Sequence, residues 1–391
     1  MRPAIYPCVS WLLLLSVTLA VAEEPQKSSP RDEYEALVTA QRDAEREFSR
    51  AYQAATTKEE KDRVSQGLGR QSSAQSHSDG FWKLIEKHPN DPVAIDTLMW
   101  LISRDNLGAS TTAALGNFSP ELMQNDRMLE VCTLLGHGFT DRPGEDFLRQ
   151  LIAKSPHRQV QGEARFAQAL RLKRQLDRQP AAGPNGEMLA RTAEQILNTV
   201  IEKYGDVKHY PSTLKEAAEG TLFEMKFLGI GSPVPEIDGE DLDGKPLKLS
   251  DFRGKVVLLD FWGTWCGFCI ADVPKYQKLL QRLAGKPFVI LGIDKDSDRD
   301  AARKLVAEKG MSWQSWWDGE AAPITSQWNV QSWPTLYLID AAGVIRYKGD
   351  VLRSVSVRKN AAGQNEQYDL IDERVDLLIK EALASDTAAP K

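Results

Sequence analysis

Histidine is scarce in this chain. Of 391 residues, five are histidine, at positions 77, 88, 137, 157 and 209, and none follows Phe227. Their scattered spacing carries no metal-ligand pattern, so solvated or capping roles are expected for each. Cysteine is rarer still, with four residues, at 8, 132, 266 and 269. One Cys-x-x-Cys without a second Cys or His pair offers two ligands where a structural zinc site needs four. A large charge of one sign is also lacking. The formal net charge is −6, from 49 basic and 55 acidic residues, and a mildly acidic chain is a poor partner for nucleic acid. Long apolar runs are absent after residue 22, which leaves no later segment able to cross a membrane.

The one apolar run stands at the start. Arg2 precedes Val9 to Ala22, which contains Trp11-Leu12-Leu13-Leu14-Leu15 and ends in Ala20-Val21-Ala22. This is the layout of a cleaved secretory signal, with the cut expected after Ala22. An uncleaved anchor is the alternative. Cys8 lies before the run, so it does not resemble a lipid-acylation site. Export implies a soluble mature protein in a periplasmic or cell-envelope compartment, where disulfides persist. A reactive thiol pair there must be kept reduced by a partner or serve as an oxidant.

Such a pair is present in Trp265-Cys266-Gly267-Phe268-Cys269, directly after the apolar run Lys255 to Trp262. A short β-branched and apolar run ending at a glycine reads as a buried parallel strand, and Ile270 to Leu283 reads as the following helix. Cys266 then sits at a helix N-terminus, where the macrodipole and unpaired N–H groups favour a thiolate. It is expected to be the nucleophile. Cys269, one turn further in, is expected to resolve a mixed disulfide by attacking Cys266. Asp260, six residues before Cys266, is a candidate proton acceptor whose affinity burial would raise. Pro274 falls inside the helix and should bend it. Trp333-Pro334-Thr335 opens a second apolar strand, Leu336 to Asp340, with a candidate cis peptide at Pro334.

Together with Gly231-Ser232-Pro233-Val234-Pro235 and Leu249-Ser250-Asp251-Phe252-Arg253-Gly254-Lys255, these blocks resemble the thioredoxin superfamily, in particular its periplasmic TlpA/ResA-like thiol–disulfide oxidoreductases. The resemblance covers roughly two-fifths of the chain. It implies an α/β thioredoxin fold with Pro334 cis and facing a redox-active Cys266–Cys269 disulfide, and Asp260 in the position of thioredoxin's buried acid. It further implies protein thiols or disulfides as substrates, an upstream thiol–disulfide electron-transfer partner, and no cofactor. Trp265, Gly267, Phe268 and Trp333 would border the substrate. The chain departs from the pattern at Phe268, where many members have proline, and at Trp333, which is bulkier than the usual residue before the cis-proline. The direction of electron flow is therefore not inherited.

From Pro30 to about Phe227 the pattern is helical, rich in Ala, Leu, Glu, Arg and Gln. Asp32 to Arg50 and Lys58 to Ile85 read as polar helices paired in a hairpin. Leu84-Ile85-Glu86-Lys87, Leu151-Ile152-Ala153-Lys154 and Val200-Ile201-Glu202-Lys203 each end a helix before a turn. That resembles the junctions of tetratricopeptide-type repeats, here degenerate in spacing, with a plain helical bundle as the other reading. Arrays of this kind offer a surface to a protein partner, and a scaffold that only positions the redox domain is the alternative. Residues 179–187 read as a flexible loop. Cys132, between apolar neighbours, reads as a buried inert thiol.

The expected organisation is a signal over 1–22, an all-helical domain over 23–228, a thioredoxin-like domain over 229–385 and a disordered tail over 386–391. Within the third segment, Asp238-Gly239 and Asp243-Gly244 read as turns framing a hairpin at the edge of the main sheet. Strands over Lys255–Trp262 and Pro287–Asp294, a helix over Asp298–Glu308, paired strands at Leu336 and Gly343–Lys348 and a helix over Leu370–Leu383 give βαβ followed by ββα. Trp262, Trp265 and Trp333 would form an apolar platform at the thiols, while Trp313, Trp316, Trp317 and Trp328 would pack between helix and sheet. The function expected is an exported thiol–disulfide oxidoreductase acting through a mixed disulfide. An interaction scaffold with an accessory redox domain and a thiol peroxidase are the alternatives. Peroxiredoxins place Thr three residues before the reactive cysteine, whereas Thr264 is two before Cys266. Copper delivery by a thioredoxin-like carrier would use a distal histidine, and the segment after Phe227 has none.

Overall fold

The computed structural model describes residues 28–105, 108–138, 142–178, 184–210, 212–359 and 365–388. The expected signal over 1–22 and most of the loop after residue 178 lie outside these. The chain divides into two compact units, one ending at Gly80 and one beginning at Phe81.

In the first unit, helix Pro30–Ala54 starts at a capping box of Ser29 and Asp32, with Pro30 in the first turn, where its missing N–H costs nothing. Thr57 and Glu60 form a second capping box at Lys58–Gln66. The single helix expected from Lys58 to Ile85 is broken. Gly67 separates off a turn at Leu68–Gln71, which ends at Ser72, and a new helix runs from Ala74 to Lys87. Glycine is among the poorest residues for a helix interior.

The second unit begins with helices at Val93–Arg104, Ala109–Gly116, Met128–His137 and Arg142–Lys154, followed by α1 (Arg158–Arg178), Pro184–Tyr204 and α2 (Leu214–Phe227). Each of the three apolar-pair-plus-lysine segments does end a helix, at Lys87, Lys154 and Tyr204. The region is mostly rather than wholly helical, because Lys208–His209 and Ser212–Thr213 pair antiparallel. Two residues per strand are too few to register as an alternating pattern. Thr213 then caps α2 with Glu216 in a further capping box. Cys132 is fully buried, and burial pushes its thiol well above its ordinary value.

The remainder of this unit is built on a five-stranded sheet. Its strands are β1 (Val256–Trp262), β2 (Phe288–Asp294), β3 (Gln314–Trp317), β4 (Thr335–Ile339) and β5 (Ile345–Lys348). β1 pairs parallel with β2 and antiparallel with β4; β2 pairs parallel with β3, and β4 antiparallel with β5. Every residue of β1 is buried, as expected of a strand covered on both faces. Successive side chains alternate between faces. Val256, Leu258 and Trp262 join one core cluster with α3 (Gly267–Arg282) and α4 (Leu370–Ala388), while Val257, Leu259 and Phe261 join another with Trp316, Trp328 and Tyr337. The same alternation puts Asp260 on the α3 face.

Three readings of this region need correction. β3 is a strand that no sequence pattern marks, and a short helix, Pro323–Gln327, follows it, so the order is βαβαβα before ββα; its Trp316 and Ser315 are buried, and a four-residue strand among tryptophans reads equally as a packed loop. The hairpin Asp238–Glu240 with Pro246–Lys248 forms its own two-stranded sheet and meets β3 at one bridge, Asp241 to Trp316. Asp238-Gly239 lies in its first strand, and the turn is closed by the Asp241 carboxylate, which accepts from Asp243 N and Lys245 N. A second hairpin, β6 (Val355–Lys359) with β7 (Asn365–Asp369), follows a 3₁₀ turn at Gly349–Leu352 and precedes α4. α4 runs to Ala388, which leaves 389–391 of the expected tail outside the described residues. Among the described residues, no helix is long and apolar enough to cross a membrane.

Candidate redox site

β1 delivers the chain to Gly263, and the turn that follows is held from below. Thr264 donates both its N–H and its hydroxyl to the Asp296 carboxylate, each at 2.8 Å. Lys295 N–H donates to Trp262 O at 3.0 Å. A side chain at 263 has no room, since its Cβ would lie 2.8 Å from Trp265 Nε1. Asp294, at the end of β2, is buried beside Asp296, and burial followed by that neighbouring carboxylate pushes its proton affinity up to about 9.

Cys266 is the N-cap of α3, and its sulfur accepts from Cys269 N–H at 3.1 Å. The two cysteines form a disulfide, with Cα atoms 5.3 Å apart. Both are nearly buried, whereas Trp265 is 58% and Phe268 70% exposed, and Gly267 between them is exposed too. The pair is thus approached across an aromatic rim. In the dithiol form, a Cys266 thiolate would meet the positive end of α3. Pro274 lies inside α3, as its position in the sequence requires.

Asp260 is 3% exposed. Burial raises its proton affinity from the ordinary 3.8 to about 8; the Asp272 carboxylate adds to the rise and the Arg353 guanidinium opposes it. A buried acid that titrates near neutrality is suited to accept and return a proton. Tyr276, also buried on α3, is pushed well above its ordinary value by burial and then by Asp260 and Asp272.

The Trp333–Pro334 bond is cis, immediately before β4. Trp333 meets Trp265 edge to face, with ring centroids 5.2 Å apart. Trp262 is not on this rim: it is 1% exposed and its Nε1 donates to Ser315 Oγ at 3.3 Å. Of the other tryptophans, Trp313, Trp316 and Trp328 are buried in the cores.

The structure therefore sets Trp265, Gly267, Phe268 and Cys269 around Cys266, buries Asp260 on the α3 face of β1, and sets Trp333 of the Trp333–Pro334 step against Trp265. Three further residues belong to the arrangement. Asp272 lies three residues after Cys269, with Tyr276 four beyond, and that i, i+3, i+7 spacing on one helix face was readable. Arg353 reaches Asp272 at 3.0 Å from 81 residues away, for which no local pattern exists.

Residues 230–348 match the AhpC/TSA family. Over 127 residues the chain is 31% identical to the thiol-disulfide oxidoreductase ResA of Bacillus anthracis, covering 32% of this chain and 73% of that protein. The chain belongs to the ResA-type thiol–disulfide oxidoreductases. A second relative in this group, the thiol:disulfide interchange protein DsbE of Vibrio cholerae, is 34% identical over 144 residues, covering 35% of this chain and 75% of that one. The solved thioredoxin domain of a Bacteroides vulgatus thiol-disulfide oxidoreductase is 30% identical, with a TM-score of 0.29, covering 31% of this chain and 91% of that domain. The matched stretch, residues 230–348, begins after α2.

Proposed function

We propose that this oxidoreductase is exported and exchanges disulfides with protein cysteines through a mixed disulfide on Cys266. The observation that carries the reading is the Cys266–Cys269 disulfide at the N-terminus of α3, with Cys266 as the N-cap and a buried acid, Asp260, on the face of β1 that packs against α3. In the reductive direction, the Cys266 thiolate attacks one sulfur of a substrate disulfide. The substrate S–S bond breaks, and its other sulfur leaves as a thiolate. Cys269 then gives its proton to Asp260 and attacks Cys266 Sγ, which closes the Cys266–Cys269 bond and releases the second substrate thiolate. Two electrons pass from the protein to the substrate, and the reverse sequence inserts a disulfide.

The cis Trp333–Pro334 step and the Trp265, Gly267 and Phe268 rim would receive the substrate backbone around its cysteine. Export rests on the apolar run before Ala22, and it calls for an upstream thiol–disulfide partner to reset the pair. The helical region would serve as a surface for a protein partner.

The test is trapping. In the Cys269→Ser chain, a mixed disulfide with a cysteine-containing protein substrate should accumulate at Cys266 and be released by dithiothreitol. In Cys266→Ser neither adduct nor turnover should form. Trapping at Cys132 instead, or turnover that survives Cys266→Ser, would contradict the reading. Consumption of hydrogen peroxide at rates above disulfide exchange would favour the peroxidase alternative.

A further inference from the structure

Arg353 stands where two ends of the redox site meet. Its Nε donates to Asp272 Oδ2 at 3.0 Å, and its guanidinium carbon lies 5.8 Å from the centroid of the Phe268 ring. Asp272 is on α3 one turn beyond Cys269, and Phe268 is the residue between the cysteines that departs from the common proline. The backbone around Arg353 is fixed. Leu352 before it is fully buried in the α3 core cluster, and Ser354 O after it accepts from Leu370 N–H at 3.0 Å. The hairpin beyond is tied back to the same helix by Lys275 and Asp369, 3.1 Å apart.

We propose that Arg353 is a positioning residue of the exchange site, which ties the segment after the 3₁₀ turn to Asp272 and Phe268 of α3 and keeps Asp260 able to take the proton of Cys269. The inference rests on the exchange mechanism proposed above and adds a residue to it.

The physical argument is electrostatic. Asp260 lies on the α3 face of β1; Asp272 of α3 raises its proton affinity, Arg353 after the 3₁₀ turn lowers it, and Tyr276 of α3 feels all three charges. The strands beside it place Gly292 and Leu336 opposite, neither of which titrates. Two carboxylates therefore share this pocket with one cation. With the cation removed, like-charge repulsion from Asp272 acts unopposed, and Asp260 keeps its proton to higher pH. A protonated Asp260 cannot accept from Cys269, so the resolving step slows at neutral pH and recovers in alkali. The phenylalanine contact adds a smaller attraction, since an exposed cation–π pair is worth roughly 0.5–1 kcal/mol.

The experiment follows the resolving step itself in the full chain. A mixed disulfide is formed at Cys266 with 5-thio-2-nitrobenzoate, and release of the coloured thiolate is timed by stopped flow from pH 5 to 10. In Arg353→Gln the pH midpoint should rise by about one unit and release at pH 7 should slow about tenfold. Arg353→Lys, which keeps the cation, should stay within about twofold of the parent. Asp272→Asn should lower the midpoint, and adding it to Arg353→Gln should bring the midpoint back. A folded Arg353→Gln chain with the parental midpoint would overturn the proposal. If that variant does not fold, Asp272→Asn decides, and an unmoved midpoint there would overturn it as well. Failure of the parent chain to release the reporter would instead defeat the exchange mechanism, because it leaves no Cys269 step to position.

Discussion

Trp265 and Trp333, 68 residues apart in the chain, meet edge to face at an interplanar angle of 68° beside the disulfide. Trp265 is largely exposed, while Trp333 packs its other side against both core clusters. The pair thus links the mobile chemistry of the cysteines to the fixed start of β4. An edge-to-face contact is worth roughly 0.5–1.5 kcal/mol beyond buried area. Trp265→Ala should therefore lower kcat/KM for a disulfide-containing peptide about tenfold, mostly through KM. Oxidation of the pair by a small disulfide should stay within about twofold, and thermal stability should barely change. Equal losses on both substrates would show that the ring serves the chemistry rather than the substrate.

Asp260 gives the protein a pH-dependent stability of definite sign. Its affinity rises from 3.8 in the unfolded chain to about 8 when buried, so between these values the folded state holds more protons than the unfolded one. Stability is then fully present below about pH 4 and falls as pH rises toward 8. At about 1.4 kcal/mol per pH unit the effect amounts to a few kcal/mol. Asp260→Asn, which carries no charge, should raise stability by that order at pH 8 and flatten the slope. The flattening should be partial, because Asp294 is raised to about 9 by burial and acts with the same sign. Denaturant unfolding at pH 5 and pH 8 checks this; a variant less stable than the parent at pH 8 would contradict it.

Lys348 ties β5 to the helical region. Its Nζ lies 2.8 Å from Asp177 Oδ1 on α1 and 3.3 Å from Glu224 Oε1 on α2, and its side chain is 9% exposed. Lys173 closes the cluster at 2.8 Å from Asp177 and 2.5 Å from Glu224. Burial opposes the charge on Asp177, yet Lys173 and Lys348 hold it below its ordinary value. Removing one cation leaves two carboxylates on one lysine, and breaking such pairs is costly because a charge stays behind uncompensated. Lys348→Met should cost about 3 kcal/mol in denaturant unfolding, and Lys348→Met with Glu224→Gln should recover part of it. A loss no larger than that of an exposed pair would contradict the assignment.

The redox half of this chain was legible because its signals are local. The β1 run, apolar except for Asp260, the Cys-x-x-Cys at a strand-to-helix turn and the proline before β4 each occupy a few consecutive residues. Asp260 could be placed on the α3 side only once the burial of its neighbours set the phase of the strand. The features without a local signal are set by the fold. β3 is short and aromatic, the β6–β7 hairpin has little core to bury, and Arg353 reaches the site only through folding. In the helical half, the helix ends at Lys87, Lys154 and Tyr204 follow from apolar pairs next to turn residues. The breaks at Gly67 and Ser72 were masked by the polar helical composition around them.

The most direct measurement equilibrates the protein with dithiothreitol or glutathione buffers of graded potential and quantifies Cys266 and Cys269 by thiol alkylation. The account predicts one reversible two-electron transition that involves both cysteines, leaves Cys132 unmodified in the folded protein, and vanishes in either Cys266→Ser or Cys269→Ser. No titratable couple between these two residues, or a transition that persists in both variants, would contradict it.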